Sequence, residues 1–235
     1  MSYKKGINYN MKNVILTGAS DGLGKSFAKL CIKNNINVIA LCRTKPEYKC
    51  DFIETDLTNQ ESIENACEII KEKYQSFDAL INCAGTMSIQ NIDSLSFKEM
   101  DEVYKVNTLA PIYLTSLLLP LIKNNKADIL NVTSIMGTMF DIEPSSVTYS
   151  SSKWALRGAS INIQAELKEE PCRVITFNPG GMKTNIFKKY DENLKDLGKD
   201  WMNTDEVADI MLYTLNLPKQ IEISEITISR KNNFI

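Results

Sequence analysis

The chain has 235 residues, with 27 basic against 29 acidic side chains, a net charge of −2, and 43% hydrophobic to 24% charged residues. That length and mix suit one large globular domain and leave no basic footprint for nucleic acid or an anionic membrane. There is no histidine, which excludes a Ser-His-Asp triad, a Cys-His dyad and any imidazole-bound zinc.

Acid–base chemistry must therefore run on Tyr, Lys, Cys or carboxylates. Cys31, Cys42, Cys50, Cys67, Cys83 and Cys172 form no CxxC pair, so free thiols in a reducing compartment are expected, with no metal cluster. The segment MSYKKGINYN is polar, has no apolar run of signal-peptide type, and reads as a loose tail over residues 1–10, with Met11 as a possible second start. The longest apolar stretch, 108–122, is interrupted by Pro111, Ser116 and Pro120 and falls short of the about 20 residues that span a bilayer. A cytoplasmic protein is the expectation.

In chain order, β-branched runs alternate with segments of helical period. Strands are predicted at Val14–Thr17, Asn37–Leu41, Phe52–Thr55, Ala79–Asn82, Asp128–Thr133, Arg173–Asn178 and Ile221–Ile228. Helices are predicted near 23–34, 61–74, 97–124, 150–168 and 204–215; in the second, Ile63, Ala66, Cys67, Ile69 and Ile70 mark one apolar face. Repeated strand–helix alternation implies right-handed crossovers and a doubly wound, seven-stranded parallel α/β sheet. Nothing divides residues 11–235, which read as one domain. Residues 180–203 interrupt the rhythm with Met182, Ile186, Phe187, Tyr190, Leu194, Leu197 and Trp201. They read either as a lid over a ligand crevice or as a packed surface helix.

The first strand runs into Gly18-Ala-Ser20-Asp21-Gly22-Leu23-Gly24 and then a helix. Glycines in a strand–turn–helix let backbone N–H groups approach a pyrophosphate at the helix N-terminus. The spacing is GxxxGxG, and a glycine-rich turn without a ligand is the competing reading.

Thr17 with this loop resembles the opening motif of the short-chain dehydrogenase/reductase family, and the likeness continues to about Ile228. Asp56-Leu57 resembles the family's adenine contact. Asn82-Cys83-Ala84-Gly85 resembles NNAG, with Cys83 in place of the second Asn. Asn107, Ser134, Tyr149 and Lys153 match the catalytic set, and Pro179-Gly180-Gly181-Met182-Lys183-Thr184 matches the PGxxxT segment beside the nicotinamide. The resemblance implies a Rossmann fold, a nicotinamide cofactor, a small-molecule carbonyl or alcohol substrate and a homodimer or homotetramer.

Tyr149 and Lys153, four apart, share a helix face. A neighbouring ammonium lowers a phenol pKa, so Tyr149 reads as the general acid/base and Lys153 as the group that tunes it. Ser134 closes the fifth strand and would polarise the carbonyl, with Thr133 as the competitor. Asn107 resembles the family asparagine that completes a proton path, against a buried helix asparagine satisfied by backbone. At the end of the second strand Cys42 offers no carboxylate to a ribose diol, while Arg43 and Lys45 suit a 2′-phosphate. NADP(H) is therefore expected over NAD(H), although Asp21 points the other way. Met87, Met136, Met139 and Phe140 suggest an adaptable apolar pocket. The tail from Glu222 to Arg230 resembles the carbonyl-reducing and 3-hydroxy acid branch. The alternative from another class is an NADP(H)-binding regulatory or scaffolding protein without turnover.

Overall fold

The computed structural model describes residues 10–138, 146–186 and 201–231. Their strands are β1 (Asn13–Thr17), β2 (Asn37–Cys42), β3 (Asp51–Glu54), β4 (Ala79–Asn82), β5 (Asp128–Val132), β6 (Val174–Pro179) and β7 (Glu225–Ile228). Their helices are α1 (Gly22–Lys33), α2 (Gln60–Lys73), α3 (Phe97–Tyr104), α4 (Ala110–Asn125), α5 (Val147–Glu166) and α6 (Thr204–Leu215). All seven strands are parallel neighbours in one sheet of order β3-β2-β1-β4-β5-β6-β7. The order reverses between β1 and β4, which opens a crevice at their carboxyl ends.

Both faces of the sheet are covered, so its central strands are apolar throughout rather than alternating. In β1, Val14 and Leu16 enter the core layer shared with Leu23, Phe27, Val207 and Met211, while Ile15 enters the opposite layer with Ile63, Ile70, Leu114 and Leu118. α1 and α6 thus cover one face, and α2 and α4 the other.

Two expectations shift. The long helix predicted over 97–124 breaks into α3, a single π-helical turn at Lys105–Leu109, and α4. Pro111 has no N–H to give the Asn107 carbonyl its ordinary helical partner, and the widened turn sits at that point. The run Phe97–Asn125 is long and apolar enough by length and composition to cross a membrane, yet Leu114, Leu118 and Ile122 are wholly buried in the core of this fold.

β7 starts at Glu225 rather than at Ile221. The segment before it is held by Arg173, whose guanidinium donates to the carbonyls of Leu215, Leu217 and Ile221 at 2.9, 3.1 and 2.9 Å. The same side chain pairs with Asp128 at 2.6 Å, both residues being buried, and Lys219 reaches Asp128 at 2.8 Å.

Finally, residues 43–50 join β2 to β3 with no helix. Of the apolar insertion, the two ends are described: Met182 bridges Met202, with Lys183 N–H donating to the Met202 carbonyl at 3.0 Å and Met202 N–H to the Gly181 carbonyl at 3.1 Å. The Trp201 ring lies against Gly181. Phe187, Tyr190, Leu194 and Leu197 of the expected lid, Met139 and Phe140 of the expected pocket, and residues 1–9 of the expected tail lie outside the described residues.

Candidate active site

The phosphate loop is built where β1 meets α1. Gly18 and Gly22 have φ of +71° and +51°, a region that favours glycine. A side chain at Gly24 would come within 2.2 Å of the Gly18 carbonyl oxygen, and one at Gly18 within 2.8 Å of the Ala84 backbone. These glycines are therefore needed for close approach. Thr17 Oγ accepts the N–H groups of Cys83 and Ala84 at 2.9 and 3.0 Å, which ties β1 to the end of β4. Thr17 opens the glycine motif, yet sequence reasoning gave it no role.

α2, α5 and α6 have side-chain caps from Asn59, Ser146 and Asn203. Asp21, at the corresponding position of α1, makes no such bond; its carboxylate instead accepts from Asn185 Nδ2 at 2.9 Å. The first-turn N–H groups of α1 are thus not capped by Asp21, in the arrangement that binds phosphate. Thr184 lies against Gly22, 3.2 Å from where a Cβ would stand, and Gly180 N–H is held by the Ile228 carbonyl at 2.7 Å. Pro179 to Thr184 therefore reaches the loop from β6.

Other residues expected at the cofactor sit differently. Leu23 and Leu57 are buried in the two core layers, so toward the crevice they offer backbone alone. Asn82 is buried, and its amide donates to Asn131 Oδ1 at 2.8 Å; Asn131 in turn donates to Ser160 at 2.9 Å. This ladder braces β4, β5 and α5. Asp56 accepts the N–H and hydroxyl of Thr58 at 2.9 and 2.8 Å, and those bonds hold its carboxyl below the usual range. Ser20 hydrogen-bonds the Cys42 thiol at the end of β2. Arg43 and Lys45 are exposed just beyond it.

At the end of β5 the alternatives resolve. Thr133 donates to Asn178 and, at 3.3 Å, to the Phe177 carbonyl, so it is committed to β6. Ser134 accepts Met136 N–H at 3.2 Å and hydrogen-bonds the phenol of Tyr149. Tyr149 occupies the first turn of α5, where Ser146 Oγ accepts its N–H at 3.3 Å. Gly137 lets α5 close on this turn: a Cβ there would stand 2.8 Å from the Lys153 backbone.

Lys153 is 3% exposed; its Nζ donates to the Val132 carbonyl at 3.0 Å and lies 5.8 Å from the Tyr149 ring centre. Gly85 leaves room beside that Nζ, 3.6 Å from a notional Cβ. Asn107, in the π turn, accepts Thr86 N–H at 2.9 Å and donates to the Thr86 carbonyl and Ser152 Oγ at 2.7 and 3.0 Å. Its side chain thus fixes the loop after β4 to α5.

Burial sets the electrostatics. It pushes the Tyr149 phenol up, and the Ser134 hydrogen bond only partly offsets that; it pulls the Lys153 ammonium down to about 8. Desolvation is the dominant influence on the phenol, and the Lys153 ammonium gives its hydrogen bond to a carbonyl. All six thiols are likewise raised, chiefly by burial. Cys83, beside Lys153, is pushed up to about 12, which disfavours a nucleophilic thiolate.

The short-chain dehydrogenase family pattern matches residues 12–195. An uncharacterized oxidoreductase of Staphylococcus aureus is 27% identical over 228 residues, covering 92% of this chain and 96% of that protein. Among solved structures, 4-hydroxyisoleucine dehydrogenase complexed with NADH superposes with a TM-score of 0.81 at 26% identity, over 93% and 97% of the two chains. An alcohol dehydrogenase from Thermococcus sibiricus, complexed with 5-hydroxy-NADP, has the same fold at a TM-score of 0.82 and 22% identity, over 93% and 96%. The glycine loop, the sheet order and the family match over most of the sequence agree, and the chain belongs to the short-chain dehydrogenase family of oxidoreductases.

Proposed function

We propose that the protein transfers a hydride between NADP(H) and a small or medium carbonyl or alcohol substrate, in the carbonyl-reducing branch of its family. The observation that carries this reading is the meeting of Ser134, Tyr149 and Lys153 at the carboxyl end of β5, beside the phosphate loop.

The residues fit a dinucleotide. Gly18, Gly22 and Gly24 leave a cradle that side chains would fill, and α1 presents its first turn to it. Ala84 and Gly85 close the floor, while Pro179, Gly180, Met182 and Thr184 approach from the other side. When bound, the nicotinamide supplies or accepts the hydride. Ser134 can donate to the substrate oxygen and share its developing charge. Tyr149, held as a neutral phenol by burial, gives its proton to that oxygen in reduction and takes one back in oxidation. Lys153 holds a partly neutralised ammonium behind it, and Asn107 fixes the wall between them.

NADP(H) is favoured over NAD(H) because the end of β2 carries no carboxylate: Cys42 is buried with its thiol donating to the Thr44 carbonyl at 3.2 Å, and exposed Arg43 follows. Asp21, the one acid that argued against a 2′-phosphate, is engaged by Asn185. Solved relatives carry both cofactor types, so the local residues make the case. Exposed Leu109 in the π turn and Ile161 on α5 support a homodimer or homotetramer.

A cofactor-linked assay tests the reading. Purified protein with NADPH and a panel of ketones and aldehydes should oxidise NADPH with at least one class. Tight NADPH binding with no turnover across the panel would instead favour the regulatory alternative.

A further inference from the structure

β2 and β3 are parallel neighbours, yet only residues 43–50 connect them. Such a crossover ordinarily takes a dozen or more residues and carries a helix that covers the sheet. Tyr48 supplies the missing cover: half-buried, it packs against the core layer that contains Val38, Ala40 and Cys42. Its hydroxyl reaches past that layer and donates to the Ala19 carbonyl inside the phosphate loop. Burial keeps the phenol far above its usual pKa and so in its donating form. Beside it Glu47 pairs with Lys25 of α1 at 3.2 Å, but the carboxylate is exposed and such pairs hold little.

The same crossover carries Arg43, Thr44 and Lys45 on its exposed side. One short segment therefore touches both places where an adenosine bearing two phosphate groups would be gripped. A rigid loop recognises a doubly attached ligand better than a loose one, because the spacing between the two attachments is set before binding. The phosphate loop is itself rigid, with Gly24 against Gly18 and Gly18 against Ala84. The start of the crossover is tied to that loop by Gly18 N–H on the Leu41 carbonyl at 3.2 Å, and Tyr48 ties its far end.

We propose that Tyr48 is a positioning residue for cofactor choice: its bond to Ala19 sets the Arg43–Lys45 segment at the distance at which the phosphate loop and the 2′-phosphate site engage one cofactor together. This rests on the NADP(H) reading above, and it adds a residue that touches no part of the cofactor.

Tyr48→Phe keeps the ring and removes the hydroxyl. Wild type and variant are titrated with NADPH and with NADH by fluorescence, with far-ultraviolet circular dichroism as the check on fold. The NADPH dissociation constant should rise about tenfold, the effect of losing one buried hydrogen bond, while that for NADH rises no more than about threefold. Equal weakening of both cofactors, or none, would show a strut for the core alone and overturn the proposal, as would loss of the fold. If wild type itself binds NADPH no better than NADH, the cofactor reading fails first and takes this inference with it.

Discussion

The Lys153 ammonium lies 5.8 Å from the centre of the Tyr149 ring and gives its hydrogen bond to the Val132 carbonyl rather than to the phenol oxygen. Burial raises the tyrosine and lowers the lysine to about 8, so at neutral pH the phenol is neutral while the lysine still carries most of its charge. A neutral phenol is the form that protonates a carbonyl oxygen. On the proposed mechanism reduction should proceed at neutral pH, and alcohol oxidation should gain as pH rises and the phenolate forms.

The buried ammonium has a measurable consequence for stability. Its folded pKa of about 8 lies below the ordinary 10.5, so between those values the unfolded chain binds the extra proton and stability rises with pH. Below about pH 8 the burden is fully present and amounts to about 3 kcal/mol. Lys153→Met should remove it at a cost of about 1 kcal/mol for the bond to Val132. Thermal unfolding at neutral pH should show the variant more stable than wild type, with the difference shrinking as pH approaches 10. A variant less stable at neutral pH would contradict this account of the lysine.

Arg43 is exposed just beyond the end of β2, where the 2′-phosphate site is proposed. Arg43→Ala should weaken NADPH binding by about 1.5–3 kcal/mol, the range for a hydrogen bond to a charged group, and leave NADH nearly unchanged. Titration of both cofactors reads the difference. An unchanged preference would move 2′-phosphate recognition away from this residue.

The Asp128–Arg173 pair makes a separate prediction for the far end of the sheet. Arg173 is 4% exposed and Asp128 1%, and the guanidinium also holds the carbonyls that close α6. Arg173→Met leaves the buried carboxylate with only Lys219 and the backbone N–H of residue 173, and should cost about 3–5 kcal/mol. Replacing both, with Asp128→Leu added, should cost less than the single change. A urea midpoint close to wild type for Arg173→Met would show that the pair contributes little.

Much of this was legible in the sequence, because the informative signals were local. Alternating β-branched runs placed the strands, and the glycine loop and the Tyr149–Lys153 spacing placed the site at the carboxyl ends of β1 and β5. What was not legible depended on partners far along the chain. Asn82 looked like a cofactor ligand, and only the register of β4 on β5 shows its amide spent on Asn131. Ser134 was preferred to Thr133 from the sequence, but that Asn178 and Phe177 occupy Thr133 is seen only with β6 in place. The hold of Arg173 on the segment before β7 was likewise invisible, because the strand pattern had read it as an ordinary strand residue. The Lys153 bond to Val132 and the depth of both side chains decide the direction of the pKa shifts, and no four-residue spacing encodes burial. Pro111 was a visible signal for the broken helix, for the carbonyl four residues before a proline loses its donor.

The central claim is that Tyr149 moves the proton that accompanies hydride transfer, and Tyr149→Phe tests it most directly. The substitution keeps the ring and removes the transferable proton. With a substrate found by the carbonyl panel, turnover at saturating cofactor should fall by about 10²–10⁴, while the NADPH dissociation constant stays within about threefold of wild type. A Tyr149→Phe variant that binds NADPH normally and turns over at a rate near wild type would contradict the account.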